Sequence, residues 1–367
     1  MIICLNKTIL LKELSEHLQL DRQLIMDCNK GMKFQQQFEA NTKLEVPMSC
    51  IQRIKDRSFF HIPPNNNSID VHNLYTKKPY DSELLFDDLE KLKIMYPFIK
   101  KNVIGYSVLG KPIIELVIGN GPKKIHMNGS FHANEWITTS IMMHWLHEYL
   151  ELLCKESSMA NQDMLDLYNK TTISFVPMVN PDGVDLVLKG LPDQIDYEAA
   201  LLQMNDLSID FSQWKANIRG IDLNNQYPVN WEIEKKRKIP KTPAPRDYPG
   251  DAPLTEPEAI ALAKLVENSS FDRVLAFHTQ GEEIYWGYLR QEPEEAEHIV
   301  KEFEKLSGYK AVRDIDSHAG FRDWYVNKWR KPGFTIELGN GVNPLPFEQF
   351  DEIFKKSKGI FYSALYM

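Results

Sequence analysis

The sequence predicts an α/β fold, in which a central sheet carries helices on both faces, preceded by a small N-terminal α+β appendage. From residue 75 onward, short apolar runs typical of buried strands alternate with amphipathic helix patterns. Several of these runs end in glycine and polar residues, and ligand sites of such sheets gather at strand ends. Residues 1–70 show a different pattern, and a Pro- and Asn-rich stretch at 63–68 separates the two parts. We therefore expect a small module over 1–70 and a main domain over 75–367.

The N-terminal module begins with apolar positions at helical spacing over residues 10–31. "TKLEVP" at 42–47 predicts a short strand that Pro47 ends, and "SFFHIP" at 58–63 is a second short apolar run. Over residues 8–48 this pattern loosely resembles the small wall-binding LysM module. The alternative is a packed appendage without a ligand.

The main domain continues with helix patterns at 83–97, 137–153 and 252–269. The last of these is expected to begin with Thr255 as N-cap and Glu258 completing a capping box. A buried strand from Thr171 is expected to run into a Pro-Asp-Gly turn. The other strand-like runs lie at 103–110, 112–119, 123–129, 273–281 and 332–341.

Composition excludes several classes of function. Hydrophobic residues make up 43% and charged residues 26% of the 367 residues, as in ordinary globular proteins. The net charge of −8 argues against nucleic acid as a partner, and no apolar run reaches the roughly 20 residues of a membrane-spanning helix. The N-terminus lacks a signal peptide pattern, which predicts a cytoplasmic protein. The cysteines show no CxxC spacing and are expected to be reduced: Cys4, Cys28, Cys50 and Cys154.

A candidate zinc site begins with His132 and Glu135 in "SFHANEW", where a strand-like run gives way to a helix pattern. A catalytic zinc takes three protein ligands, of which two histidines and a glutamate are one known set, and keeps one position open. An HxxE pair alone is weak, since it is also common on surface helices. His278 ends the apolar run "RVLAF", where strand-end ligands belong, and is the expected third ligand of one Zn²⁺ per chain.

Other histidines are weaker candidates. His144 and His147 form a similar pattern with Glu148, but they lie inside a helix among Trp, Leu and Tyr, where ordinary packing or exposure explains them better. The remaining weak candidates lie in the N-terminal part or on an acidic helix: His17, His61, His72 and His298.

Glu337 is the predicted general base. It ends the apolar strand "GFTIE", and burying an unpaired charge costs several kcal/mol, so the carboxylate should face the site. A carboxylate beside a zinc ion can take a proton from the attacking water, whose pKa can fall to about 7. The alternative is a structural salt bridge.

The motifs together resemble the zinc carboxypeptidase (M14) family, and most of all its bacterial γ-D-glutamyl-L-diamino acid peptidases. The motifs that carry the resemblance are "HANE", "VPMVNPDGV", "RGIDLNNQYP", "PLTEPEA", His278, "GFRDW" and "FTIELG". The resemblance implies a mixed central sheet, a zinc ion and a peptidoglycan-derived peptide as substrate. The bond cut would join γ-D-glutamate to meso-diaminopimelate or lysine.

The resemblance also implies roles for single residues. Glu337 would act as general base and then proton donor. Asp222 matches the aspartate that holds a zinc-bound imidazole in the right tautomer. Arg219, or alternatively Lys215, would supply the cation that polarises the scissile carbonyl. Asn224 matches the asparagine that binds the region of the substrate's terminal carboxylate.

Three departures from the family pattern concern the substrate. Asn225 stands where carboxypeptidases carry an arginine that binds the C-terminal carboxylate, which puts plain C-terminal exopeptidase activity in doubt. Arg322 in "GFRDW" occupies the position of side-chain specificity and would suit an acidic side group such as that of diaminopimelate. Its alternative is a salt bridge with Asp323. His318 could donate a hydrogen bond to the substrate amide, or simply be exposed.

Three other functions stay open from the sequence: a zinc-dependent N-acyl amino acid deacylase, a conventional carboxypeptidase and a non-enzymatic peptidoglycan-binding protein. "NPDG" and "TEPEA" favour the peptidase. Without an export signal, the expected sites of action are recycled wall peptides in the cytoplasm or a sporulation-related compartment.

Overall fold

The computed structural model describes residues 1–31, 37–54, 56–63, 77–155, 157–159 and 162–367. The domain boundary expected near residue 70, most of the Pro- and Asn-rich stretch before it, and His72 lie outside these ranges.

The secondary structure of the described residues alternates as predicted over most of the main domain. The strands are β1 (Ile2–Leu5), β2 (Ile9–Leu10), β3 (Gln37–Phe38), β4 (Lys43–Glu45), β5 (Phe60–His61), β6 (Lys100–Tyr106), β7 (Pro112–Gly119), β8 (Lys123–Gly129), β9 (Ser158–Met159), β10 (Gln162–Asp163), β11 (Thr171–Val176), β12 (Arg273–His278), β13 (Glu283–Tyr285), β14 (Lys310–Val312) and β15 (Gly333–Glu337). The helices are α1 (Leu11–Leu18), α2 (Arg22–Cys28), α3 (Met48–Arg53), α4 (Ser82–Met95), α5 (Ile137–Cys154), α6 (Met164–Lys170), α7 (Pro181–Lys189), α8 (Ile195–Met204), α9 (Trp231–Arg237), α10 (Pro257–Glu267), α11 (Glu294–Ser307), α12 (Phe321–Trp329) and α13 (Phe350–Tyr366). Single 3₁₀ turns lie at Ala133–Glu135, Leu223–Asn225 and Phe347–Gln349.

The central sheet is mixed, which confirms the predicted fold class. The eight strands described in it follow the order β14-β13-β15-β12-β8-β11-β7-β6. β15, β12, β8 and β11 run parallel, whereas β6 and β7 on one side and β13 against β15 on the other run antiparallel. Because β8, β12 and β15 are parallel neighbours, their carboxyl ends meet at one edge of the sheet.

Helices cover both faces of this sheet. β12 shows why: Leu275 and Phe277 belong to the core that contains α5, α11 and α13, whereas Val274 and Ala276 belong to the core that contains α10 and α12. Alternate residues of a strand point to opposite faces, so a strand covered on both faces is apolar throughout.

The N-terminal module contains a small antiparallel sheet in which β1 pairs with β4 and β5, with α1 and α2 between β1 and β4 along the chain. The helical pattern over 10–31 forms two helices, because Gln19 is in the left-handed conformation and the Asp21 carboxylate caps α2 at the N–H of Gln23. Ile3 and Leu44 of the module share one hydrophobic core with Leu89 and Trp145 of the main domain, so the module packs directly against it.

Two local predictions are wrong. The Pro-Asp-Gly turn instead begins α7, because the Asn180 side chain accepts the N–H of Gly183 and Pro181 suits the first helical position. Thr255 is not a helix cap: α10 begins at Pro257 after Glu256, whose side chain forms no cap hydrogen bond.

The Glu258 carboxylate, expected in a capping box, instead accepts the N–H of Val108 at 3.0 Å in the interior of the protein. Burial, followed by weaker effects from neighbouring acids, raises the pKa of Glu258 to about 7.

All four cysteines are buried and free, in line with the predicted reduced state. Within the described part of the chain, none of the helices combines the length and apolar composition needed to cross a bilayer.

Candidate active site

The predicted zinc ligands and Glu337 meet at the carboxyl edge of the sheet. His278 ends β12 and Glu337 ends β15, and the two residues lie opposite each other in the parallel register. His132 follows β8 after a tight turn, in which the hydroxyl of Thr138 accepts the N–H of Ser130. Three adjacent strands therefore deliver these side chains to one point.

His132, Glu135 and His278 form a compact buried cluster. The Nδ1 atom of His132 lies 2.8 Å from Oε1 of Glu135, and Nδ1 of His278 lies 2.9 Å from Oε2 of the same carboxylate. The two Nδ1 atoms are 3.2 Å apart. Both imidazoles thus turn the same ring nitrogen toward one carboxylate.

This cluster fits a zinc ion. Two nitrogens bound at 2.0–2.1 Å to a tetrahedral zinc lie about 3.3 Å apart, and the separation of the two Nδ1 atoms is 3.2 Å. Each of these three side chains offers one ligand atom, and the three atoms all lie within 4.8 Å of one another, which is close enough to hold a metal ion. Two histidines and one glutamate also match the donor set of a catalytic zinc.

Asp222 connects the cluster to Lys215. One Asp222 oxygen accepts from Nε2 of His132 at 3.2 Å, and the other pairs with Nζ of Lys215 at 2.8 Å. Since Nε2 carries the proton in this contact, Nδ1 of His132 is left with its lone pair toward the zinc site. Lys215 also lies 3.3 Å from Asp247.

Asn343 is a second contact of the cluster. Its Nδ2 donates to Glu135 at 3.4 Å and to the carbonyl of Thr279 at 2.8 Å, while its Oδ1 accepts from the Thr279 hydroxyl at 2.7 Å. Asn343 therefore links the Glu135 carboxylate to the residue that follows His278.

The acids of the site have opposite pKa shifts. Burial alone would raise the pKa of Glu135, but the two histidines outweigh it and lower the pKa. Burial, reinforced by the charge of Glu135, raises the pKa of Glu337. The charge of a zinc ion acts against this rise, because it stabilises a nearby carboxylate.

Two cavities adjoin the cluster and share His132, Lys215, Tyr285 and Glu337 in their walls. The Arg322 cavity, of about 270 Å³, is also lined by Asn224, Asn225, Arg237, Lys238, Arg322 and Thr335. The Arg246 cavity, of about 350 Å³, is also lined by Asn134, Gln213, Arg246, Gln280, Val342 and Asn343. Glu337 therefore borders both cavities.

Arg322 is buried in the wall of its cavity. Its Nε donates to Asp323 at 2.9 Å, and its guanidinium lies 5.9 Å from the ring centre of Tyr285. The salt bridge with Asp323 considered from the sequence thus exists, but it leaves Nη1 buried without a hydrogen-bond partner among the described residues. Asn224 and Asn225 line the same cavity, and Asn224 accepts the N–H of Phe321.

Two predicted site residues are not brought to the cavities. Arg219 is exposed and lies 3.6 Å from Glu256, because the side chain of Asn217 closes a turn by accepting the N–H of Arg219. Nδ1 of His318 is held by the Tyr288 hydroxyl at 2.9 Å, and His318 is absent from the described lining of both cavities.

The HxxHE pattern of α5 lies outside the cluster. His144 packs edge-on against Phe354, and Glu148 accepts from Lys358 and Tyr362 of α13. Helix packing therefore accounts for these two residues.

Tyr285, Arg246 and Asn343 were not identified from the sequence. Tyr285 reaches the site because β13 pairs antiparallel with β15 and sets it opposite Thr335. Strand-like alternation in "EEIYWG" was the available signal, but it does not say which strand β13 joins.

Comparison with known proteins agrees with this geometry. The family model described as zinc carboxypeptidase matches residues 86–357. The chain belongs to the zinc carboxypeptidase family. It is accordingly a zinc-dependent hydrolytic enzyme, and the cluster supplies the metal-binding group.

Relatives and solved structures extend the comparison. The chain is 51% identical over 288 residues to gamma-D-glutamyl-L-diamino acid endopeptidase 1 of Lysinibacillus sphaericus, covering 78% of this chain and 72% of the relative. It is 45% identical over 361 residues to YqgT, an uncharacterized protein of Bacillus subtilis (strain 168), covering 97% and 96% of the two chains. The fold is shared with bovine thrombin-activatable fibrinolysis inhibitor, with a TM-score of 0.63, 18% identity, and coverage of 80% of this chain and 97% of that one.

Proposed function

We propose that this enzyme hydrolyses the peptide bond between γ-D-glutamate and a diamino acid in cell-wall peptides. The observation that carries the proposal is the convergence of His132, Glu135 and His278 beside two cavities that share Glu337. The 51% identity to an endopeptidase named for this bond supports the substrate class.

Within this proposal His132, Glu135 and His278 would hold the zinc ion. A zinc ion held there would lower the pKa of water and polarise a carbonyl oxygen. Asp222 keeps the proton of His132 on Nε2, so that Nδ1 faces the metal.

Glu337 acts as general base and then as proton donor. Its carboxylate takes a proton from the attacking water and passes it to the amine that leaves. Glu337 lines both cavities, so its carboxylate is placed to hold that proton between the two steps.

Lys215, rather than Arg219, supplies the cation for the scissile carbonyl. Lys215 lines both cavities and its side chain is only 17% exposed, so its charge acts where little water screens it. Two of its ammonium hydrogens serve Asp222 and Asp247, and the third is available to an oxyanion.

The Arg322 cavity takes the diamino acid. The unpartnered Nη1 of Arg322 suits a carboxylate on the side chain of that residue, and diaminopimelate carries one. Asn224 and Asn225 bind the polar backbone of the leaving part, and the missing arginine at 225 removes the requirement for a free C-terminus. His318, held by Tyr288, positions the loop of the cavity wall and does not touch the substrate.

The test is cleavage of L-Ala-γ-D-Glu-meso-diaminopimelate, followed by mass spectrometry, with Glu337→Gln as the inactive comparison. We expect the wild type to cut the γ-glutamyl bond, and Glu337→Gln to lose most of the activity while retaining stoichiometric zinc. Full activity of Glu337→Gln would contradict the mechanism. Preferred hydrolysis of N-acyl amino acids, or of ordinary peptides from the C-terminus, would instead support the deacylase or the conventional carboxypeptidase.

We also propose that the module over residues 1–70 binds the wall. β1 and β4 pair antiparallel and α1 and α2 lie between them along the chain, which supports the likeness to a LysM module; the short strands β2 and β3 flank the two helices and pair with each other. Since the module shares its core with the main domain, the full-length Glu337→Gln protein is the suitable sample. It should co-sediment with purified peptidoglycan, and retention in the supernatant would contradict wall binding.

A further inference from the structure

The Arg246 cavity and the Arg322 cavity share His132, Lys215, Tyr285 and Glu337 in their walls, so they adjoin at the catalytic residues. If the diamino acid occupies the Arg322 cavity, as proposed above, the Arg246 cavity is the adjoining space for the acyl part of the substrate. The acids in the described lining of this cavity are Glu135 and Glu337, which belong to the catalytic cluster. The cations in this lining are Lys215 and Arg246.

These two cations differ in how far they are already engaged. Lys215 is held from two sides by Asp222 and Asp247. Arg246 donates from Nε to Asp247 at 3.0 Å, and no other hydrogen bond of its guanidinium is found among the described residues. Its side chain is 58% exposed, so the terminal nitrogens are accessible to a ligand at the cavity wall.

The position of Arg246 is fixed by its neighbours. The carbonyl of Pro245 accepts both the N–H of Lys215 and the N–H of Ala216, at 2.8 and 2.9 Å. Asp247 then holds Nε of Arg246 with one oxygen and Nζ of Lys215 with the other. The Arg246 side chain is thereby kept beside the residue proposed to contact the scissile carbonyl.

A γ-linked glutamate places one distinctive group on the acyl side of the scissile bond. The peptide bond to the next residue is formed by the γ-carboxyl group, so the α-carboxylate stays free. An α-linked residue has no free carboxylate on its α-carbon. Arginine offers a planar fork of donors that matches a carboxylate. We propose that Arg246 binds the free α-carboxylate of the γ-linked glutamate and so selects γ-glutamyl substrates.

This inference rests on the proposed function. A pair of substrates shows whether the inference fails by itself or together with the proposed function. One is L-Ala-γ-D-Glu-meso-diaminopimelate, and the other carries a carboxamide in place of the glutamate α-carboxylate. We expect the wild type to prefer the carboxylate peptide about tenfold in kcat/KM, through a lower KM. In Arg246→Gln this ratio should fall close to one, and Arg246→Lys should restore part of it.

Arg330→Gln is the matched control, because Arg330 is exposed at the end of α12 and is absent from the described lining of both cavities, and it should keep the wild-type ratio. Equal ratios in Arg246→Gln and the wild type would overturn the inference alone, as would a wild type that cuts both peptides equally well. If the wild type cut neither peptide, the proposed function would fail and this inference with it.

Discussion

Replacing Asp222 by asparagine tests how the zinc cluster is held. Asp222 is fully buried, and its two oxygens serve the Nε2–H of His132 and the ammonium of Lys215. Asparagine keeps the shape but has only one oxygen. Whichever way the amide turns, its NH₂ group faces either the donor of His132 or the donor of Lys215, and the negative charge is lost.

The expected losses follow from these two contacts. Removing the hydrogen-bond partner of a zinc-binding histidine typically weakens metal binding 10–100-fold, or about 1.4–2.7 kcal/mol. Lys215 would keep its ion pair with Asp247, at 3.3 Å. Breaking a buried ion pair by removing one partner lowers the free energy of unfolding by roughly 3–5 kcal/mol, and Asp247 reduces that loss here.

Both quantities can be measured on the purified enzyme. Competition with a chromophoric chelator gives the zinc dissociation constant, and denaturant unfolding of the zinc-loaded protein gives the stability. Asp251→Asn is the control, since Asp251 is exposed and its carboxylate accepts from the Tyr248 hydroxyl, a contact that an asparagine oxygen can keep. Zinc affinity within threefold of the wild type in Asp222→Asn would refute the conclusion that Asp222 orients His132.

Three further variants test separate parts of the structure. The free energy of unfolding of Glu258→Gln should rise relative to that of the wild type by up to about 3 kcal/mol between about pH 4.5 and 7. The reason is that the raised pKa of Glu258 makes its ionisation costly in the folded wild type. A difference in unfolding free energy that does not change with pH would contradict this. Lys215→Met should lower kcat/KM about 10²–10³-fold, and Arg219→Met should lower it less than about threefold. A larger loss in Arg219→Met than in Lys215→Met would instead assign the cation of the scissile carbonyl to Arg219. Asn343→Ala should raise the zinc dissociation constant about tenfold by freeing Glu135, and an unchanged constant in the chelator assay would exclude that role.

The sequence was sufficient for the elements that depend on local pattern. Strands β7 and β8 begin and end at the predicted residues, because a Gly or Pro lies at or next to both ends of each strand-like run and these residues interrupt strands. Local pattern was misleading where the same short sequence is compatible with two local conformations. The Pro-Asp-Gly sequence suits both a turn and a first helical turn, and the Asn180 cap decided for the helix.

Local pattern was likewise insufficient to choose the cation of the site. The motif around 215–222 offers two cations, and spacing along the chain does not say which of them faces the zinc cluster. The turn closed by Asn217 sends Arg219 to the surface, whereas Lys215 is drawn inward by Asp222 and Asp247. The fold brings Asp222 and Asp247 to Lys215, and their distance along the chain does not predict these contacts.

By itself the sequence determined the sheet with helices on both faces and the three candidate zinc ligands, because each of these depends on a residue type at a strand end or at the start of a helix. Tertiary structure alone decided which side chains surround that centre. Tyr285 arrives on an antiparallel neighbour of β15, Arg246 on a loop held by Pro245, and Asn343 on the segment after β15. The physical reason is that strand order and loop position result from long-range packing, which no short stretch of residues encodes.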